Sequence, residues 1–183
     1  VEFAYFYNAM GTKVTLLEYL PNIVPNEDGD IAKELMKNLK KQGISILTDT
    51  SIEKIEKKDA SFMVTVKQKE EEKKLDADIL LSAVGITPNT QNIGLEGLKM
   101  KLEGGRIAVD EYYKTNIKGY YAIGDVIKGP ALAHVASAEG IVCIEKIAGL
   151  NPEPINYENI PGCIYCSPEI ASVGLTEKEA KEK

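Results

Sequence analysis

The chain has no excess of basic charge. It sets 22 Lys and Arg against 28 Asp and Glu, a formal net charge of −6 at pH 7 over 183 residues. Nucleic-acid binding needs clustered cations, so that class is set aside. No apolar run approaches the length of a membrane span, so no membrane partner is expected. Neither a secretory signal nor a basic, Ser-rich leader is visible. Cysteine is sparse, with Cys143, Cys163 and Cys166 only. Without secretory context, that usage points to a reducing compartment: the cytoplasm, or alternatively the mitochondrial matrix. His134 is the one histidine, and no second ligand pair accompanies the cysteines, so no metal is expected. No internal repeat is present. An initiating Met is also missing. The chain opens in mid-pattern at VEFAYFYNAMG and stops within another helical pattern, TEKEAKEK. It is therefore expected to be an internal piece of a longer protein, and its targeting cannot be read.

What is present supports a core: 44% of the residues are hydrophobic. Phe3, Phe6, Tyr7 and Met10 fall at helical spacing, and Gly11 suits the end of that helix. Lys13–Glu18 reads as a strand. A loop with Pro21 and Pro25 follows, then a helix over Asp28–Gln42. Its acids come first and its lysines last, Ile31, Leu35 and Leu39 share a face, and Gly43 stops it. Ile44–Leu47 is a second strand. Ser51–Lys57 and Ser61–Gln68 alternate as an antiparallel pair, with Lys73–Leu75 a possible third member. The charge run Lys67–Lys74 is read as a solvated hairpin tip. Asp78–Val84 is nearly continuously apolar and predicts a strand buried on both faces, ending at Gly85. Beyond the turn at Pro88, the chain is loop-like to Asp110, with a short strand Arg106–Val109 after Gly104-Gly105. Ile164–Val173 is strand-like around Pro168, and Thr176 with Glu179 has capping-box spacing.

The most informative stretch is TNIKGYYAIGDVIKGPALAHVASAEG, from Thr115 to Gly140. A polar turn leads into an apolar run, Tyr120–Ile123, that breaks at Gly124-Asp125; a small-residue helix starts near Ala131. A strand that stops at Gly-Asp sets one carboxylate at the edge where doubly wound sheets hold ligands. Gly124 permits close backbone approach, and a helix start offers free N–H groups. This composite resembles the second flavin-binding motif of the flavoproteins with two dinucleotide-binding domains. Within them it is most similar to the dihydrolipoamide dehydrogenase branch of the pyridine-nucleotide disulfide oxidoreductases, and the resemblance covers essentially all 183 residues.

The resemblance implies an α/β fold in three parts. Residues 1–87 would be a truncated Rossmann-like NAD-binding domain without its first strand and glycine loop. Residues 88–152 would be the C-terminal part of an FAD-binding domain, and 153–183 the start of an α+β dimerisation domain. It also implies roles. Asp125 would hydrogen-bond the flavin ribityl chain, with Gly124 beside it, and Leu132, Ala133 and His134 would lie near the isoalloxazine. Glu18, at the end of the second Rossmann-type strand, would accept hydrogen bonds from both adenosine ribose hydroxyls and repel a 2′-phosphate, pointing to NAD. Glu2 would lie near the nicotinamide, and Gly85 would let the backbone approach the dinucleotide. Many relatives carry Arg beside that glycine, whereas Ile86 stands here, so no contact from position 86 is implied. The parent would be a homodimer that oxidises lipoyl domains of 2-oxoacid dehydrogenase complexes through a redox disulfide and FAD. The disulfide and the catalytic His–Glu pair would lie outside this chain, leaving it without catalytic residues and inactive alone. An NADPH-linked reductase of the glutathione or mercuric type, or a non-catalytic nucleotide-binding module, are the alternatives.

Cys163-Ile164-Tyr165-Cys166 has the spacing of a redox pair, but it falls in a strand pattern rather than at a helix N-terminus. A strand sends residues three apart to opposite faces, and no helix end is there to stabilise a thiolate. Air oxidation should therefore leave all three thiols titratable. Loss of two of them, restored by reductant, would make this pair a redox couple after all.

Overall fold

Asp28 opens the longest helix of the first half. Its Oδ1 accepts the Asp30 N–H at 3.0 Å and caps helix α2, Gly29–Lys41. Such a side-chain acceptor satisfies one of the N–H groups that every helix start leaves unpaired. Asp30 in the first turn and Lys40 and Lys41 in the last suit the helix dipole. Gly43 follows at φ +97°, a conformation that ends helices cheaply only at glycine. The computed structural model describes residues Val1–Lys183 in two compact units, 1–82 with 161–183, and 83–160.

In the first unit, strands β1 (Thr15–Leu17) and β2 (Ser45–Leu47) pair in parallel, Leu16 opposite Ile46, with α2 between them in sequence. This is a β-α-β unit. Helix α1, Glu2–Ala9, precedes it. The core is built from Ala4, Ile23, Leu35, Leu39, Ile44, Ile46, Cys166 and Ile170. A three-stranded antiparallel meander follows, β3 (Thr50–Lys57), β4 (Phe62–Gln68) and β5 (Glu71–Ala77), with Val64 and Val66 buried on its middle strand. The third strand of the meander is therefore longer than the pattern predicts, and the charge run spans its hairpin tip, where Lys69 turns at φ +57°.

Three expectations fail here. Ile31 is 47% exposed, and Ala32 takes the buried place beside Leu35 and Leu39. At 100° per residue, position 31 stands about 80° of rotation from 39, off the centre of the inward stripe. The stripe of α1 faces outward: Phe3, Phe6, Tyr7 and Met10 are all exposed, and only Ala4 is buried. Asp78–Val84 is neither strand nor buried, with Val84 91% exposed. Sheet membership needs neighbours, and no strand of this chain offers 78–84 a ladder.

In the second unit, β6 (Leu102–Glu103) and β7 (Arg106–Ile107) form a hairpin around Gly104-Gly105. Both glycines have positive φ, +57° and +78°, as a two-residue hairpin turn of this hand requires. The run Tyr120–Ile123 makes no strand; one isolated bridge joins Lys114 to Tyr121, and Ala122 donates its N–H to the Tyr113 carbonyl at 3.0 Å. A 3-10 turn, Gly124–Val126, and helix α3, Ala133–Ile147, complete the unit. Its core joins Leu95, Ile107, Tyr113, Ala122, Ile127 and Cys143.

Residues 161–183, in the first unit, form the hairpin β8 (Gly162–Ile164) and β9 (Ile170–Ser172), then α4, Glu177–Glu182. The capping box is present: Thr176 Oγ1 accepts the Glu179 N–H, and Glu179 Oε2 accepts the Thr176 N–H at 2.8 Å.

Leu39, fully buried, should lose about 2–5 kcal/mol of unfolding free energy when cut to Ala. Ile31→Ala should stay within roughly 0.5 kcal/mol, as exposed substitutions do. Urea unfolding followed by circular dichroism measures both; equal costs would contradict the observed inward face of α2.

Candidate functional site

The stretch that the sequence singles out becomes a pinned turn. Thr115, nearly buried, closes the polar loop before it: its hydroxyl accepts the Ile117 N–H at 3.1 Å and donates to the Tyr120 carbonyl at 3.0 Å. The chain then reaches Gly124 at φ +72°. A side chain there is disfavoured twice over: the backbone is left-handed, and a Cβ would sit a tight 3.3 Å from the Ala136 Cβ of α3. Gly124 thus lets the turn lie directly on the helix.

Glu139, on α3, is 1% exposed. Its Oε2 accepts the Gly124 N–H at 2.6 Å, and its Oε1 accepts the Tyr157 hydroxyl at 2.7 Å. The Tyr157 oxygen lies 3.2 Å from that of Tyr113, which is buried in the core. From another direction Arg106 Nη1 donates to the carbonyls of Asp125 at 2.7 Å and Ile127 at 3.1 Å. Both faces of the turn backbone are held by charged side chains, and charge-assisted hydrogen bonds are the stronger kind. The Asp125 side chain is exposed and accepts no protein hydrogen bond. A carboxylate held out on a fixed backbone with both oxygens open is suited to accepting hydroxyl groups of a ligand.

Leu132 is the residue before α3 and caps it with no side chain. Val135 and Ala136 donate to the Leu132 carbonyl, and no side chain caps the start of α3. Ala133 and His134 occupy that start and are exposed. Gly124, Asp125, Leu132, Ala133 and His134 therefore share one unit, on a turn and the helix packed against it. An open carboxylate on a turn that Gly124 seats against the helix fits a flavin's ribityl chain, and a helix start without a side-chain cap fits its ring edge.

Of the remaining candidates, Glu2 and Glu18 belong to the first unit and Gly85 to the second. Glu18 follows the C-terminal end of β1; its Oε1 accepts the Leu20 N–H at 2.8 Å, and no protein hydrogen bond engages its other oxygen. That half-buried carboxylate at the carboxyl end of a parallel strand fits a ribose diol. Glu2 lies in the first turn of α1, but its Oε1 accepts the Tyr165 N–H at 2.7 Å, so one oxygen already serves the fold. Gly85 has φ +114° and nothing within 4 Å of where a Cβ would stand. The cysteines do not form a reactive pair. Cys163 is exposed, while Cys166 is buried and donates its S–H to the Pro168 carbonyl at 3.2 Å. Burial raises the thiol pKa of Cys166 and of Cys143, which keeps both protonated.

Sequence reasoning missed Glu139, Tyr157 and Arg106. One signal was available: Val135, Glu139 and Cys143, the buried residues of α3, recur every four positions. An acid inside an apolar helical stripe has to find donors.

Residues 1–140 match the family described as pyridine nucleotide-disulphide oxidoreductase, and residues 160–183 match its dimerisation domain. A dihydrolipoyl dehydrogenase of Rhizobium etli is 47% identical over 184 residues, covering 100% of this chain and 38% of its own length. One from Bacillus subtilis is 43% identical, covering 99% and 39%. Among solved structures, LpdA from Mycobacterium tuberculosis superposes with a TM-score of 0.89 at 26% identity, over 98% of this chain and 39% of that one. The HOCl-induced flavoprotein disulfide reductase RclA from Escherichia coli, as its Cu(II) complex, gives 0.89 at 27% identity, over 99% and 41%. The chain thus spans about two fifths of the length of the curated relatives it matches.

The phenols beside Glu139 couple this site to pH. Burial first, then the hydrogen-bonded neighbours and the Glu139 charge, pushes the Tyr157 pKa far up; burial also raises that of Tyr113. Tyr157 is 39% exposed, but its hydroxyl sits between Glu139 and Tyr113. A raised folded-state pKa stabilises fully below the ordinary phenol value of about 10 and is lost as pH rises through the folded value. The urea midpoint should therefore fall above about pH 10, and Tyr157→Phe should make that alkaline fall shallower. Identical pH profiles for the two proteins would show that Tyr157 ionises freely in the folded state.

Proposed function

The chain belongs to the pyridine nucleotide-disulphide oxidoreductase family, and from that premise we propose that it is an internal segment of a dihydrolipoyl dehydrogenase. The observation that carries this reading is the unpartnered Asp125 carboxylate on its pinned turn, in a chain whose whole length is 47% identical to part of such an enzyme. On this reading, residues 1–87 belong to an NAD-binding domain, 88–152 to an FAD-binding domain, and 153–183 to the start of the interface domain.

Each residue then has a role. Asp125 accepts hydrogen bonds from ribityl hydroxyls, and Gly124 lets the chain come close. Leu132, Ala133 and His134 present backbone groups to the isoalloxazine edge from the uncapped start of α3. Glu18 accepts the two ribose hydroxyls of NAD with the carboxylate that Leu20 already orients, and its charge repels a 2′-phosphate. Glu2 would lie near the nicotinamide, and Gly85 would give the dinucleotide an open backbone. Bound FAD would supply the carrier between thiol and hydride chemistry, which side chains cannot provide. The parent would act on lipoyl domains of 2-oxoacid dehydrogenase complexes as a homodimer, in the cytoplasm or the mitochondrial matrix. No helix is long and apolar enough to cross a membrane. This segment alone should neither turn over nor hold FAD tightly.

The likeness to RclA favours a second reading, a reductase of disulfides that runs electrons the other way. The Glu18 carboxylate argues against an NADPH-linked form of it. The deciding experiment uses the coding sequence on either side and the protein it encodes. A C-x-x-x-x-C upstream, a His–Glu pair downstream, and NADH formation from dihydrolipoamide and NAD are expected. A full-length flavoprotein that is inert toward dihydrolipoamide, or one in which Glu18→Gln leaves the NADH-over-NADPH preference unchanged, would overturn the assignment or the Glu18 role, respectively.

A further inference from the structure

We propose that Glu139 and Arg106 are positioning residues that together aim the Asp125 carboxylate. This inference rests on the reading of Asp125 as a ligand group. Neither residue has a side-chain partner among the turn's own side chains; both address its backbone. Glu139 takes the Gly124 N–H, the donor just before Asp125. Arg106 takes the carbonyls of Asp125 itself and of Ile127, on either side of Val126. Within the turn, the Ile127 N–H closes onto the Gly124 carbonyl at 3.0 Å. The negative group thus holds the N–H end and the positive group the C=O end, each matched in sign to the peptide dipole that it meets.

The supports behind this pair are anchored in the core. Glu139 is fixed by the Tyr157 hydroxyl, and Tyr157 by Tyr113. Tyr157 also packs where a Cβ at Gly129 would meet its ring at 3.3 Å, so the loop after the turn is shaped around it. Arg106 is the only arginine of the chain and stands on β7 directly after the Gly104-Gly105 turn. Both of its bonds leave one nitrogen, Nη1, whose two N–H groups are held in the guanidinium plane. All protein hydrogen bonds at Gly124–Ile127 are spent on backbone, and the one acidic side chain there is left without any. That division is what a preorganised ligand carboxylate requires.

The test is made on this chain in the absence of ligand, by NMR. Three readouts are used: hydrogen exchange at the Gly124 and Ile127 amides, the Asp125 χ1 rotamer from scalar couplings, and exchange at Leu39 and Val66 as a control. Arg106→Met and Glu139→Ala should each speed exchange at Ile127 by about tenfold or more, and average the Asp125 rotamer, with the control amides unchanged. Arg106→Lys, which keeps a cationic N–H donor, and Glu139→Gln, which keeps a carbonyl acceptor, should restore most of the protection. Arg106 is half-exposed, so its variants decide the matter even if Glu139→Ala does not fold. An Asp125 rotamer and an Ile127 exchange rate that stay at wild-type values in Arg106→Met would overturn the proposal, as would a failure of both conservative variants to rescue. A separate FAD titration of the full-length protein with Asp125→Ala distinguishes the two ideas: unchanged affinity removes Asp125 as a flavin ligand while leaving the turn's dependence on Arg106 and Glu139 standing.

Discussion

A buried carboxylate without a cation beside it must be satisfied by neutral donors. Glu139 meets that constraint with the Gly124 N–H and the Tyr157 hydroxyl, and the second unit is arranged around the result. An unpaired ionised group at 1% exposure would cost several kcal/mol, on the order of what holds a domain folded. The position of the turn, the path of the chain near Gly129 and the pairing of Tyr113 with Tyr157 all follow from keeping those two donors in place. Structural demand and the proposed ligand contact thus meet at one residue pair, Gly124-Asp125. The first faces the protein and the second faces outward.

Local signals in the sequence translated into structure where the physics is local. The acidic start of α2, the Thr176–Glu179 box, the glycine stops after α1 and α2 and the Gly104-Gly105 hairpin each depend on a few neighbouring residues, and each is found. Sheet membership is not local. Asp78–Val84 and Tyr120–Ile123 have the composition of buried strands, yet here they lack a ladder, because a strand is made by its neighbours. The outward aromatic face of α1 has the same origin: spacing identifies a stripe but not what covers it.

The candidate site was half legible. Gly124, Asp125 and the helix start after them could be named from the motif alone. Arg106, Glu139 and Tyr157 could not, because they come from a hairpin, a helix and a 3-10 turn that only the fold gathers at one place. The residues that motif reasoning finds are those that would touch a ligand; the residues that fix them are scattered in sequence. Glu2 shows the converse. A motif assigns it to a cofactor, whereas in this structure one of its oxygens ties α1 to the backbone after β8.

The meander carries its own protection at both borders. Its outer strands, β3 and β5, alternate Glu and Lys at exposed positions such as Glu53, Lys54, Glu71 and Lys74. Charged borders of this kind resist edge-to-edge pairing between molecules. The stretch from Ile79 to Ile86 has no such guard, with Ile79 at 84% and Val84 at 91% exposure. An uncharged apolar ribbon of that kind favours coalescence between molecules, and a lysine grafted onto it would oppose this as the charged sheet borders do.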